Sequence, residues 1–335
     1  MRNETRVLFN AYLAAIAAGN GIADASQKFA ATPSVQQRLE TKMQESSDFL
    51  SRINVIGVTE QSGEKLGLGI GGPIARRTDT TSTDRPTSDP TSIDDSGYTC
   101  KQTNYDTHIS YSKLDAWAKF PDFQARIRDV IVKRMALDRI MIGFNGASAA
   151  ATTDPVTNTL LQDVNIGWYQ KYVTDAAARV MTGGATPGTI KIGASSADYA
   201  TLDALVFDLV NNLIDPWFRE DTALVCILGR DLMADKYFPL INATQPPSEQ
   251  MAADMIISQK RVGGLQGVRV PFVPAGSLMV TTLDNLSIYY QEGARRRTIV
   301  DNAKRDRIEN YESSNDAFVV EDYGRGCIAK NIAFV

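Results

Sequence analysis

The chain has 335 residues and a formal net charge of −4, with 43% hydrophobic and 22% charged residues. That is the composition of a soluble globular protein with room for two or three domains or subdomains. It argues against a protein whose main work is wrapping phosphate backbones, and the longest apolar runs fall far short of a membrane span.

The spacing predicts a helix over residues 4–18, with Leu8, Tyr12 and Ile16 on one side and Gly19-Asn20-Gly21 as its stop. Residues 20–32 are rich in Ala, Gly, Asp and Ser and read as a flexible, cleavable link. Thr32-Pro33 opens a second helix, whose buried side is marked by Leu39, Met43, Leu50 and Ile53. Residues 64–70 alternate as a strand, and 98–111 form a second candidate strand with Tyr105, Thr107, Ile109 and Tyr111 on one face. Between them a Pro-, Gly-, Thr-, Ser- and Asp-rich tract has too little apolar surface to fold alone. Residues 64–111 therefore read as a two-stranded arm that must lie on something else, such as a neighbouring subunit, or else as an interdomain linker.

Residues 120–146 organise the rest. Pro121 suits a first helical turn, and Phe123, Ile127, Val130, Ile131, Leu137, Met141 and Phe144 recur at helical spacing. Gly143 and Asn145-Gly146 read as its end. Such a helix is about 35 Å long and is either an ordinary core helix or a mechanical spine. Further on, the pattern gives helices over 161–172, 199–214, 230–237 and 250–258. Strands are expected at 189–192, 222–228, 268–273, 278–283, 286–290, around 296–300, 317–321 and 327–333, with a turn at Gly263-Gly264.

A search for chemistry returns little. His108 is the single histidine, so any nucleophilic relay has one candidate base, on a strand where a structural role is expected. Cys100, Cys226 and Cys327 are far apart in sequence, lack zinc spacing, and suit a reducing compartment. Asp94-Asp95 and Glu321-Asp322 do not resemble a calcium loop. The glycines of 67–72 lack the Lys-Ser/Thr of a phosphate loop, and Leu228-Gly229-Arg230 is a weak nucleotide fingerprint. Arg295, Arg296 and Arg297 lie on a predicted strand, so they cannot all face one partner; pairing with nearby acids is the expectation. No catalytic residue, metal site or cofactor is assigned.

Several stretches together resemble the major capsid proteins of peduoviruses, the tailed phages of the P2 type. They are MRNETRVLFNAY at 1–12, MQESSDFLSRIN at 43–54, DFQARIR at 122–128, LQDVNIGWYQKY at 161–172, DYATLDALVFDLVNNLIDPW at 198–217, ADKYFPL at 234–240, IISQKR at 256–261 and NYES at 310–313. The resemblance implies an α+β, HK97-type phage capsid fold. Its parts would be an N-terminal scaffolding segment at 1–31, an N-arm at 32–56, an E-loop at 57–112, a P-domain at 113–198 with the spine helix at 120–144, an A-domain at 199–290, and P-domain return strands at 291–335. It also implies self-assembly as pentamers and hexamers into an icosahedral shell around double-stranded DNA, in the virion, after assembly in the host cytoplasm. Implied partners are a scaffolding protein, a prohead protease, a portal protein at one vertex and non-specific contact with packaged DNA, with no membrane. The implied processing junction falls in Lys28-Phe29-Ala30-Ala31, with Phe29 and Ala30 as the processing residues. A cytoplasmic metabolic enzyme with an α/β domain at 199–290 is the alternative.

Overall fold

The computed structural model describes residues 1–64, 69–70, 75–87, 91–92, 97–118, 120, 123–193, 196–242 and 260–335. In chain order it begins α1 (Asn3–Asn20), β1 (Phe29–Ala30), α2 (Pro33–Glu45), α3 (Asp48–Arg52), β2 (Asn54–Val58), β3 (Ser62–Gly63), β4 (Gly69–Ile70) and β5 (Thr91–Ser92). Next come β6 (Tyr98–Thr99), β7 (Lys101–Asn104), β8 (Thr107–Ser110), α4 (Tyr111–Trp117), α5 (Phe123–Asn145), α6 (Trp168–Asp175), β9 (Val180–Met181) and β10 (Ile190–Ile192). The remainder is α7 (Leu202–Leu213), β11 (Val225–Leu228), α8 (Arg230–Asn242), β12 (Arg261–Val262), β13 (Leu265–Arg269), β14 (Leu278–Thr281), β15 (Leu286–Gln291), β16 (Arg296–Asn302), β17 (Arg307–Val320), β18 (Cys327–Ala329) and β19 (Ile332–Phe334).

Two sheets carry the fold. The seven-stranded one is built on β17, whose 14 residues are long enough to serve two neighbours along each edge. Its first half pairs with β16 and its second with β15, both antiparallel, while β8 and β7 line the opposite edge. Beyond these, β1 extends the sheet past β16, and β2 lies parallel to β15. The six-stranded sheet runs β12-β13-β11-β14-β18-β9. The amphipathic α7 packs Leu202, Leu205, Val206 and Leu209 into the core beside it, with Thr201 capping its first turn through Ala204 N–H.

Several expectations change. The strand predicted over 98–111 breaks at Tyr105-Asp106, where Tyr105 N–H donates to Glu312 O, and Tyr111 instead opens α4. Its 101–110 portion is therefore part of the main sheet, and among the described residues of 64–111 and the turn before them the two-stranded pairings are β3–β6 and β4–β5. The helix predicted from Leu161 starts only at Trp168; Leu161 itself has a φ of 58°, which no helix admits. The strands predicted at 64–70 and 317–321 become β4 at its last two residues and the far end of β17. The turn predicted at Gly263-Gly264 joins β12 to β13. Most of 64–70, the glycine run 67–72 apart from Gly69-Ile70, Asp94-Asp95, Pro121 and the helix predicted over 250–258 lie outside the described residues.

The long helix α5 ends at Asn145, so Gly143 lies inside it rather than stopping it. A β-carbon there would sit 2.2 Å from the indole of Trp168, so glycine admits the close approach of α6. Trp168 anchors an aromatic cluster with Phe49, Phe144 and Phe318, at ring centroid separations of 5.3–6.1 Å. Val130, placed on the apolar face by periodicity, is instead 63% exposed, because only the second half of α5 is enclosed by the fold.

Candidate assembly site

Two features hold the N-terminal 45 residues, and each is built from different chemistry. Upstream of the predicted junction, α1 lies in an apolar groove formed by α4, β8, β16 and β17. Phe9 is buried against Leu114, Ile299 and Ile308, with Tyr12, Leu13, Ile16, Ile109 and Ile127 around it. This corrects the expected stripe: the inward residues are Phe9, Tyr12, Leu13 and Ile16, while Leu8 is exposed. The groove belongs to the same chain. Polar ties fix its position. Arg2 N–H donates to Asp115 at 2.9 Å, Arg6 pairs with Asp301 at 3.0 Å, and Arg297 donates to the Tyr12 hydroxyl at 3.1 Å.

The link is partly structured. Phe29 and Ala30 form β1 and pair with Arg297 and Arg296 at the sheet edge. Ile299 N–H donates to Ala25 O and Ala31 N–H to Arg295 O. The two predicted processing residues therefore lie in extended backbone with one edge occupied by β16.

Downstream, α2 is held by a buried ionic cluster. Glu40 of α2 accepts from Arg139 of α5 through both oxygens, one of them at 3.2 Å, and from Arg295 at 2.9 Å. Arg139 reaches Asp316 of β17 at 3.0 and 3.2 Å, and Arg295 reaches Glu312 at 2.7 and 2.8 Å. Tyr105 and Ser314 donate to Asp316 as well. All five charged groups are buried. Burial alone disfavours charge on the arginines, but Asp316 and Glu40 around Arg139, and Glu312 and Glu40 around Arg295, outweigh it and raise both pKa values. Burial likewise pushes Glu312 up, and Arg295 and Arg297 overcome it, so its pKa is lowered.

Buried pairs are a poor source of net stability, because desolvation consumes most of the attraction. They are strong on register: if α2 slides by one turn, at least one buried charge loses its partner. The cluster thus joins the arm helix, the long helix and the main sheet in one fixed arrangement. Around it, Met43, Tyr105, Val132 and Met135 exclude water, and Gln36 is tied to Gln291 O and Gly293 N–H.

The expectation for the arginine run holds. Arg295 is buried with Glu40 and Glu312, Arg297 meets Asn310, and Arg296 faces solvent. Sequence reasoning missed Glu40, Arg139 and Asp316. A charged residue at an inward helical position was the available signal: Glu40 lies between Gln36 and Met43 on the buried side of α2, and Arg139 interrupts the apolar face of α5. His108 is exposed on β8, opposite Glu309, at the rim of a cleft of about 640 Å³ that also includes Trp117 and Val130. Among the described residues, no group of three or more His, Cys, Asp or Glu is placed to hold a metal ion, and no helix is long and apolar enough to cross a membrane.

The architecture is that of shell-forming capsid proteins of the HK97 type. A chain of an empty gene-transfer-agent (GTA) capsid superposes with a TM-score of 0.52 at 16% identity, covering 86% of this chain and 90% of its own. A chain of the satellite phage P4 procapsid that includes the size determination (Sid) protein superposes with a TM-score of 0.83 at 49% identity, over 100% of this chain and 99% of its own. The family model described as phage major capsid protein, P2 family, matches residues 8–332. The capsid protein of Escherichia phage P2 is 52% identical over 99% of this chain and 95% of its own length. That of Serratia phage KSP20 is 42% identical over 100% and 97%. The chain belongs to the P2 family of phage major capsid proteins. It is a structural subunit of the phage head shell and sits in the virion capsid, which overturns the alternative of a metabolic enzyme.

Proposed function

We propose that the subunit assembles as pentamers and hexamers into an icosahedral shell around double-stranded DNA, and that residues 1–31 serve assembly and are then cleaved from the chain near Phe29 and Ala30. The observation that carries the second part is the division of the N-terminus. The chain upstream of Phe29 is held by an apolar groove and one sheet edge. The chain downstream is held by five buried charges through α2. A cut at this point separates one anchored unit from another and leaves the ionic anchor untouched.

We propose the remaining assignments on the strength of the resemblance to the family. Residues 32–56 serve as the N-arm, 57–112 as the E-loop, 113–198 as the P-domain with the spine helix at 120–144, 199–290 as the A-domain, and 291–335 as the return strands. A scaffolding protein shapes the precursor, a prohead protease makes the cut, a portal protein occupies one vertex, and contact with packaged DNA is non-specific. The role requires no turnover, so His108→Ala leaves assembly unchanged. Electron microscopy of the chain expressed with its scaffolding protein and protease tests the reading. Closed shells support it; a small closed oligomer under the same conditions overturns it.

A further inference from the structure

The groove under α1 has the properties of a helix-binding site in its own right. We propose that residues 3–20 remain bound in that groove after the chain is cut, as a non-covalent helical ligand. The inference rests on the reading that the chain is processed near Phe29, and concerns what the cut leaves behind.

Three observations support it. First, α1 is a self-terminated helix. Gly21, with a φ of 65°, donates to Ala18 O, and Ile22 N–H donates to Ala17 O, which is the double bond pattern that closes a helix from within. The cap is supplied by Gly21 and Ile22, both upstream of a cut after Ser26 and of one near Phe29, so it stays with the helix. Second, the contacts that hold it are made by its own side chains along its length. Phe9 is 5% exposed, Thr5 is buried beside it, and the cavity lined by Phe9, Tyr12, Leu114, Ile299 and Ile308 measures about 40 Å³. Third, recognition is not only apolar. Two carboxylates, Asp115 and Asp301, receive the Arg2 backbone N–H and the Arg6 side chain at the helix start, and Arg297 meets Tyr12 nearly two turns further on. This is helix-in-groove recognition: anchors at i, i+3, i+4 and i+7 (Phe9, Tyr12, Leu13, Ile16) with polar contacts fixing direction.

Cutting the link removes the tether, and with it the high local concentration that a short tether provides. The contacts themselves are not touched. In a closed shell every subunit contributes one groove and one fragment, so the two stay matched in number.

The test uses the full chain. A site-specific protease sequence is inserted between Ser26 and Gln27, both exposed, and the folded protein is cut there. At micromolar concentration the fragment is expected to co-elute with the body in gel filtration and to appear with it in native mass spectrometry. Phe9→Asp should release the fragment once cut. Val7→Asp, at a position 68% exposed on the outer face, should retain it. Should Phe9→Asp lower the yield of folded chain, Leu13→Asp, only half-buried, serves the same purpose. Release of the unmutated fragment overturns the proposal, as does equal retention in the Phe9→Asp and Leu13→Asp chains. Because the cut is made artificially, a failure here is independent of whether natural processing occurs.

Discussion

Replacing Glu40 by Gln tests how the arm is held. The carboxylate accepts from two guanidinium groups, through two bonds to Arg139 and one to Arg295. Gln keeps the volume and one oxygen, but its NH₂ group then faces a buried cation. The cluster holds two arginines and three acids, so losing Glu40 removes the excess negative charge and orphans neither arginine. Arg139 keeps its two bonds to Asp316, and Arg295 keeps its ion pair and hydrogen bond with Glu312. The cost is therefore below the ~3–5 kcal/mol of an orphaned buried charge, and nearer the value of one or two charge-assisted hydrogen bonds, about 2–3 kcal/mol. Because Glu40 is the member supplied by α2, the loss appears as local opening of that helix. Hydrogen exchange of residues 33–45 should quicken by roughly 30- to 150-fold. Arg295→Met leaves Glu312 and Glu40 facing each other with less compensation and should cost more, about 3–5 kcal/mol in denaturant unfolding. Unchanged exchange over 33–45 in Glu40→Gln, or a smaller loss in Arg295→Met than in Glu40→Gln, would refute the reasoning.

Gly143→Ala should lower the melting temperature: its β-carbon meets the Trp168 ring, which is fixed by a 3.1 Å bond to Ser287 O, and overpacking of ~1–3 kcal/mol exceeds the helix-propensity gain of about 1 kcal/mol. A rise in melting temperature would show that α6 yields. Glu312, with its pKa lowered, contributes stability that is present above its ordinary value of 4.5 and is lost as pH falls through the lowered one. Glu312→Gln should flatten that part of the acid limb in pH-dependent unfolding, and an unchanged limb would remove Glu312 from the account. Burial pushes the thiols of Cys100 and Cys226 up to about 11 and about 12, and that of Cys327 higher still. Native labelling with a thiol reagent should therefore modify none of them, and labelling in denaturant all three.

Helical periodicity located α5, α7 and the start of α2, because each of these helices buries at least part of one face. It failed where tertiary context decides. Val130 obeys the pattern but lies on the half of α5 that the fold leaves open. Gly143 has the local chemistry of a helix stop, yet it is needed for the approach of an indole more than twenty residues away in sequence. The helix over residues 3–20 was legible, but its groove was not, since Leu114, Ile299 and Ile308 come from three separate elements. The ionic cluster was half legible. Alternation on a strand separated Arg295 and Arg297 from Arg296, but pairing Arg295 with Glu40 across 255 positions requires the fold. The family resemblance was carried by long dispersed stretches of sequence, such as residues 198–217.

The division of the N-terminus into a helix that is cut from the chain and an ionically anchored arm is tested most directly by the intact mass of subunits taken, under denaturing conditions, from DNA-filled particles. The account predicts a mature subunit that begins between Phe29 and Thr32 and still contains Glu40. A subunit that begins at Met1 or Arg2 in such particles would contradict it.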